Sequence, residues 1–207
     1  RMGNKGRRSE YVYRREDKKL REEQETMTAN RKKPKILLTG LPGCGKTTGI
    51  KRIVEKFDPN KVAGFYTEEI REHGQRSGFR WARLDGKEGI LAHVDIQGPR
   101  RVGKYGVNIA DFERSVVPVL DTVRTDAELF VIDEIGKMEC LSRVFVATVD
   151  GLLKSERSVL ATVAQKGGGF ISRVKEYADT KLITLTRNRQ DEVVSEILDL
   201  LHLILRQ

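Results

Sequence analysis

Residues 40–47 read Gly-Leu-Pro-Gly-Cys-Gly-Lys-Thr, with the spacing G-x-x-x-x-G-K-[ST] that a phosphate-cradling loop requires. Glycines let successive backbone N–H groups face one concavity, and a helix starting at the end of the loop adds partial positive charge. The expected nucleotide contacts are therefore Gly40, Leu41, Pro42, Gly43, Cys44, Gly45, Lys46, Thr47 and Thr48. Lys46 neutralises the β and γ phosphates, and the Thr47 hydroxyl is the expected magnesium ligand. Further along, residues 129–140 read LFVIDEIGKMEC, an apolar run that stops at two adjacent acids. Two readings are open. In one, Asp133 holds magnesium through a water and Glu134 activates a water for attack on the γ-phosphate, so the protein is a hydrolase. In the other, Asp133 to Gly136 is the Asp-x-x-Gly turn of a GTP-dependent switch and Glu134 is incidental.

Both readings need a strand ahead of each motif. Lys35 to Thr39 (KILLT) is a short apolar run entering the glycine loop, and a helix is expected over 46–57. Asp58-Pro59-Asn60 ends it. Extended segments follow at 62–71, 77–84 and 89–95, separated by turns at His73-Gly74-Gln75-Arg76 and Asp85-Gly86-Lys87, which predicts an antiparallel β insertion after the first helix. Apolar residues at helical spacing predict a helix over 108–123, in spite of Pro118. Strand 129–132, helix 141–153, strand 158–164, a short helix 171–177, strand 182–186 and a helix from Gln190 complete the chain. Strands alternating with helices imply a three-layer α/β phosphate-loop fold with a mostly parallel sheet.

Composition narrows the class. The 207 residues are 38% hydrophobic and 33% charged, enough for one domain with a buried core, expected over 34–207. No apolar run is long enough to cross a bilayer and no signal-peptide core is evident, so a cytoplasmic location and no membrane partner are expected. Cys44 and Cys140 are in no metal-ligand spacing, and His73, His93 and His202 are scattered. The formal charge of +9 is concentrated in residues 1–33, where twelve Lys or Arg face six acids. That extension is either a solvated, partly helical segment or a contact for RNA or another anionic partner.

Asn188-Arg189-Gln190-Asp191 bears on the switch reading, because it approximates the Asn-Lys-x-Asp sequence that reads guanine. Arginine replaces the lysine, and no further strand and loop follow to complete a guanine pocket. The switch reading loses most of its support.

Four motifs in order, GLPGCGKTT at 40–48, GFYTEEIRE at 64–72, RVGKYGV at 101–107 and VIDEIGKME at 131–139, resemble one family. It is that of the nucleoside-triphosphatases first described in thermophiles and known in vertebrates as cancer-related nucleoside-triphosphatase. The resemblance runs over nearly all of residues 35–207. It implies magnesium-dependent hydrolysis of ATP, GTP, CTP and UTP to diphosphate and phosphate, with loose base preference, and gives Asp133 and Glu134 the metal and base roles. It also implies that Asn188 and Arg189 lie near the base, although an N-cap at Asn188 with a solvated arginine reads equally well. Lys137 is a candidate for stabilising charge on the γ-phosphate, and Lys104 and Tyr105 for closing over the site, each against a plain packing or surface role. Glu68 and Glu69 read as scaffold acids. Two other functions stay open: a kinase on this fold, with Glu134 as base for an acceptor hydroxyl, and an ATP-dependent interaction module with slow hydrolysis.

Overall fold

The computed structural model describes residues 33–205, with side chains described to His202. Apart from Lys33, the basic extension lies outside these residues. The strands are β1 (Lys35–Thr39), β2 (Val62–Glu72), β3 (Gln75–Arg83), β4 (Glu88–His93), β5 (Arg101–Val102), β6 (Tyr105–Val107), β7 (Leu129–Ile135), β8 (Ser158–Val163) and β9 (Thr180–Thr184). The helices are α1 (Lys46–Val54), α2 (Ile109–Ser115), α3 (Arg143–Lys154), α4 (Phe170–Arg173) and α5 (Gln190–Leu205). One nine-stranded sheet has the order β5-β6-β4-β3-β2-β7-β8-β1-β9. The five strands from β2 to β9 in that order run parallel, and β3, β4, β6 and β5 extend the sheet antiparallel. The expected insertion is thus a continuation of the main sheet.

Strand alternation divides the core in two. Leu37, Phe65, Phe130 and Ile132 point to the face covered by α2, α3 and α4, where Phe65, Phe112 and Phe145 pack with ring centroids 5.3 to 6.2 Å apart. Ile36, Leu38, Leu129 and Val131 point to the opposite face, against Ile50 and Ile53 of α1 and Val193, Ile197 and Leu201 of α5. Helices on both faces make the three layers. No helix among the described residues is long and apolar enough to cross a membrane.

Two expectations need correction. The helix expected over 108–123 stops at Ser115 and gives way to a 3-10 turn at Val117–Leu120. Pro118 has no N–H for the Arg114 carbonyl, and its ring excludes the α path. The hairpin of β5 and β6 was not expected, because strands of two and three residues carry almost no alternation signal. Smaller shifts occur elsewhere: α1 ends at Val54, and α3 starts at Arg143 because the Ser142 side chain caps it by accepting from Phe145 N.

Gly64 decides how closely two strands of this frame approach. It pairs with Val131 at φ 140°, and a Cβ there would lie 1.9 Å from the Val131 carbonyl oxygen. Only glycine fits.

Candidate active site

β1 delivers the chain to the glycine loop, and α1 starts where the loop ends. Gly43 and Gly45 have φ of 72° and 97°, and Gly45 caps α1 in a left-handed conformation with no side-chain cap bond. The first amides of α1 are therefore left facing the loop, a ready anion site. Leu41, Pro42 and Gly43 are exposed, Cys44 is buried, and Thr48 is exposed on α1. Lys46 reaches back across the loop, its Nζ 3.2 Å from the Gly40 carbonyl.

β7 brings the acids to the same end of the sheet. The β7–β8 ladder shifts register between Ile132 and Ile135, and the Asp133–Glu134 peptide inside that irregularity is cis. Asp133 is 2% exposed. Its Oδ2 accepts from Thr47 Oγ1 at 2.6 Å, and its Oδ1 accepts from Thr162 Oγ1 on β8. Burial raises the Asp133 pKa, opposed by those two hydroxyls and by Lys46 and Lys51. Glu134 is also raised by burial; Lys46 opposes the shift, Asp133 adds to it and Lys175 opposes it. A carboxylate shifted upward is a better proton acceptor near neutral pH than an ordinary one.

A third acid stands close by. Glu139 is 5% exposed, and burial pushes its pKa up to about 8, with Glu134 and Asp133 contributing. Gly136 separates the two glutamates: a Cβ there would lie 2.7 Å from Glu139 Oε2 and 3.6 Å from Glu134 Cδ.

The donor set suits magnesium. Thr47 and Asp133 offer only hard oxygen atoms, and a hydroxyl that gives its proton to Asp133 keeps lone pairs free for a cation. Among the described residues no cluster of three or more His, Cys, Asp or Glu could hold a metal. Magnesium bound here would take its remaining ligands from phosphate and water, its usual habit in nucleotide sites.

Comparison with known proteins places this geometry in a family. The chain is 44% identical over 167 residues to nucleoside-triphosphatase THEP1 of Thermotoga sp. (strain RQ2), covering 81% of this chain and 95% of the relative. A family profile described as NTPase matches residues 35–198. The chain belongs to the nucleoside-triphosphatase family. THEP1 of Pyrococcus abyssi is 41% identical over 167 residues, covering 79% of this chain and 90% of the relative. The crystal structure of THEP1 from the hyperthermophile Aquifex aeolicus superposes with a TM-score of 0.74 at 35% identity, covering 81% of this chain and 98% of that one. The solution structure of a human cancer-related nucleoside triphosphatase gives 0.67 at 34% identity, covering 80% and 96%.

Within this nucleoside-triphosphatase, Thr47 bonds Asp133 and the Lys46 charge acts on both Asp133 and Glu134. The other candidates divide. Lys137 is exposed in the turn after β7, three residues past Glu134. Tyr105 is 9% exposed in the antiparallel extension, where its hydroxyl accepts from Arg76 Nε at 3.2 Å and its ring packs edge-on against Phe79. Exposed Lys104 lies over that ring. β6 stands four strands from β7 in the sheet, roughly 19 Å at ordinary strand spacing, so the structure packs this pair in the extension and not at the phosphate loop. Glu68 is held by Lys51 and Arg80 and Glu69 by Arg71 and Arg76, as scaffold acids.

The loop after β9 holds the main surprise. Asn188 Oδ1 accepts from Thr186 Oγ1, Arg189 pairs with Glu192, and Asp191 pairs with Arg52 on α1. Their neighbours touch the phosphate loop instead: Arg187 Nε donates to the Gly43 carbonyl at 3.2 Å and Gln190 Nε2 to the Cys44 carbonyl at 2.7 Å. Sequence reasoning passed over Arg187 and Gln190 because motif matching drew it to the pair between them. Thr162 and Glu139 were also passed over, although a polar residue near the end of an apolar strand and an acid in IDEIGKME are signals of a kind.

Proposed function

We propose that this nucleoside-triphosphatase cleaves the β–γ anhydride of ATP, GTP, CTP and UTP with magnesium, releasing nucleoside diphosphate and phosphate. The observation that carries the reading is the Thr47–Asp133 hydrogen bond with Glu134 one residue beyond it, at the mouth of the phosphate loop. Thr47 and Asp133 would hold magnesium, Asp133 through a water, and the ion would supply charge neutralisation and alignment of the β and γ phosphates. Glu134 accepts a proton from the attacking water, whose oxygen bonds to the γ-phosphorus. The bond from that phosphorus to the bridging oxygen breaks, and the bridging oxygen leaves with the electron pair on the diphosphate. Lys46 offsets its charge. Loose base choice fits Asn188 and Arg189, both exposed, because stacking on a guanidinium or amide tolerates any base.

The test is phosphate release from each triphosphate without an acceptor. Activity is expected to need magnesium, to vanish on chelation and in Lys46→Ala, and to fall at least about 100-fold in Glu134→Gln while nucleotide still binds. Phosphate transfer seen only when a hydroxyl acceptor is supplied would replace hydrolysis by kinase chemistry. The basic extension is proposed as an accessory contact for RNA or another anion; deleting residues 1–26 should then abolish salt-sensitive RNA binding and leave hydrolysis intact.

A further inference from the structure

We infer that Arg187 and Gln190 are positioning residues that brace the phosphate loop from outside and so set its affinity for the phosphate chain itself, whatever the base. The inference rests on the nucleotide-hydrolysis reading above. It goes further by assigning the loop's order to two side chains that belong to no phosphate-binding motif.

The contact is continuous. Leu185 N donates to the Thr39 carbonyl at 2.7 Å, so the chain leaving β9 runs beside the chain leaving β1. A Cβ at Gly40 would lie 2.5 Å from the Leu185 carbonyl oxygen, and one at Gly45 would lie 2.2 Å from Gln190 Nε2. At Gly43 the distance to Arg187 Nη2 would be 3.7 Å. The segment from 185 to 190 therefore lies along the back of the loop at three of its glycines.

Peptide geometry turns that contact into a device. In a trans peptide unit the C=O and N–H point in opposite directions. Holding the Gly43 carbonyl from outside turns the Cys44 N–H into the loop's own turn, and holding the Cys44 carbonyl aims the Gly45 N–H inward. The Cys44 N–H donates to the Leu41 carbonyl at 3.2 Å across that turn, so the Arg187 bond fixes the turn while the Gln190 bond orients an amide. A glycine-rich loop without such bonds would lose more backbone freedom on closing around an anion. Arg187 adds a charge-assisted bond, the stronger kind. Asn188 and Arg189 do not share this task, being tied to Thr186 and Glu192.

Inorganic tripolyphosphate separates bracing from base contact, because it carries the phosphates and no base. In the full chain, Arg187→Ala and Gln190→Ala are each expected to raise KM for ATP and GTP by a common factor, about three- to tenfold. They should raise the inhibition constant of tripolyphosphate by that same factor, leave kcat within about twofold and leave the melting temperature nearly unchanged. Arg187→Lys, which keeps a donor, should recover most of the loss. If tripolyphosphate binds the variants as well as it binds the wild type while nucleotide KM rises, the two residues read the base and the inference is wrong. It is equally wrong if KM does not move, or if kcat and melting temperature fall with no change in tripolyphosphate binding. Failure of the wild-type chain to hydrolyse either nucleotide would instead overturn the reading beneath.

Discussion

Thr47 Oγ1 and Asp133 Oδ2 meet at 2.6 Å although 86 residues separate them in sequence, and this bond joins the phosphate loop to the acid strand. The burial that raises the Asp133 pKa means that its charge destabilises the nucleotide-free protein. Asp133→Asn keeps the shape and removes the charge. Hydrolysis is expected to fall at least about 100-fold with weakened magnesium dependence, while the ligand-free melting temperature holds or rises by about 2–4 °C. Steady-state kinetics across a magnesium titration and thermal melts check the two halves.

The upward shift of Glu134 should be visible in the pH profile. A general base must be ionised to act, so kcat/KM should decline on the acid side at a pH above the ordinary carboxylate range. Removing the Lys175 charge, which opposes the shift, should move that limb to higher pH. A limb that stays put in Lys175→Met would show that this lysine does not act on Glu134.

Glu139 gives a stability signature of its own. Its carboxyl is held to about 8 in the fold against 4.5 when unfolded, so the folded state retains a proton that the unfolded state gives up. Its contribution is complete below about pH 4.5, is lost as pH rises through 8, and is flat beyond. Glu139→Gln should flatten the decline of melting temperature between pH 5 and 8 and exceed the wild type at pH 8. Melts at three pH values decide it.

At Gly64 the expected cost is steric. Alanine would drive a methyl into the Val131 carbonyl and force β2 from β7, with a loss on the order of 3 kcal/mol or more. Urea unfolding of Gly64→Ala measures it. Activity should suffer too, since Val131 lies two residues before Asp133.

How much of this was legible in sequence follows from the range of each signal. The path from Lys35 through the glycine loop to Thr47 is local, and every residue in it carries a type and spacing requirement. Asp133 and Glu134 were legible because an apolar run ends on them. Pro118 was visible, yet periodicity around it outweighed the missing N–H, and the structure reverses that balance. The partners of Gly43 and Cys44 were not legible. Arg187 and Gln190 lie more than 140 residues away, at the start of a short 3-10 turn and at the first residue of α5, and what selects them over Asn188 and Arg189 is the direction in which these turns present successive side chains. The packing of Tyr105 was not legible either, since a motif match does not say whether a tyrosine faces a ligand or fills a gap beside Phe79.

The strand that feeds the phosphate loop has no partner from its own half of the chain. Lys35 on β1 pairs with Val159 of β8 on one side and Thr180 of β9 on the other. On the ribosome, the loop and its lysine wait, without sheet neighbours for β1, until strands more than 120 residues further along have been made. β1 is clamped only once β8 and β9 have docked on its two sides, and a chain cut short after β8 would carry the glycine loop and both adjacent acids yet lack the flank that steadies them.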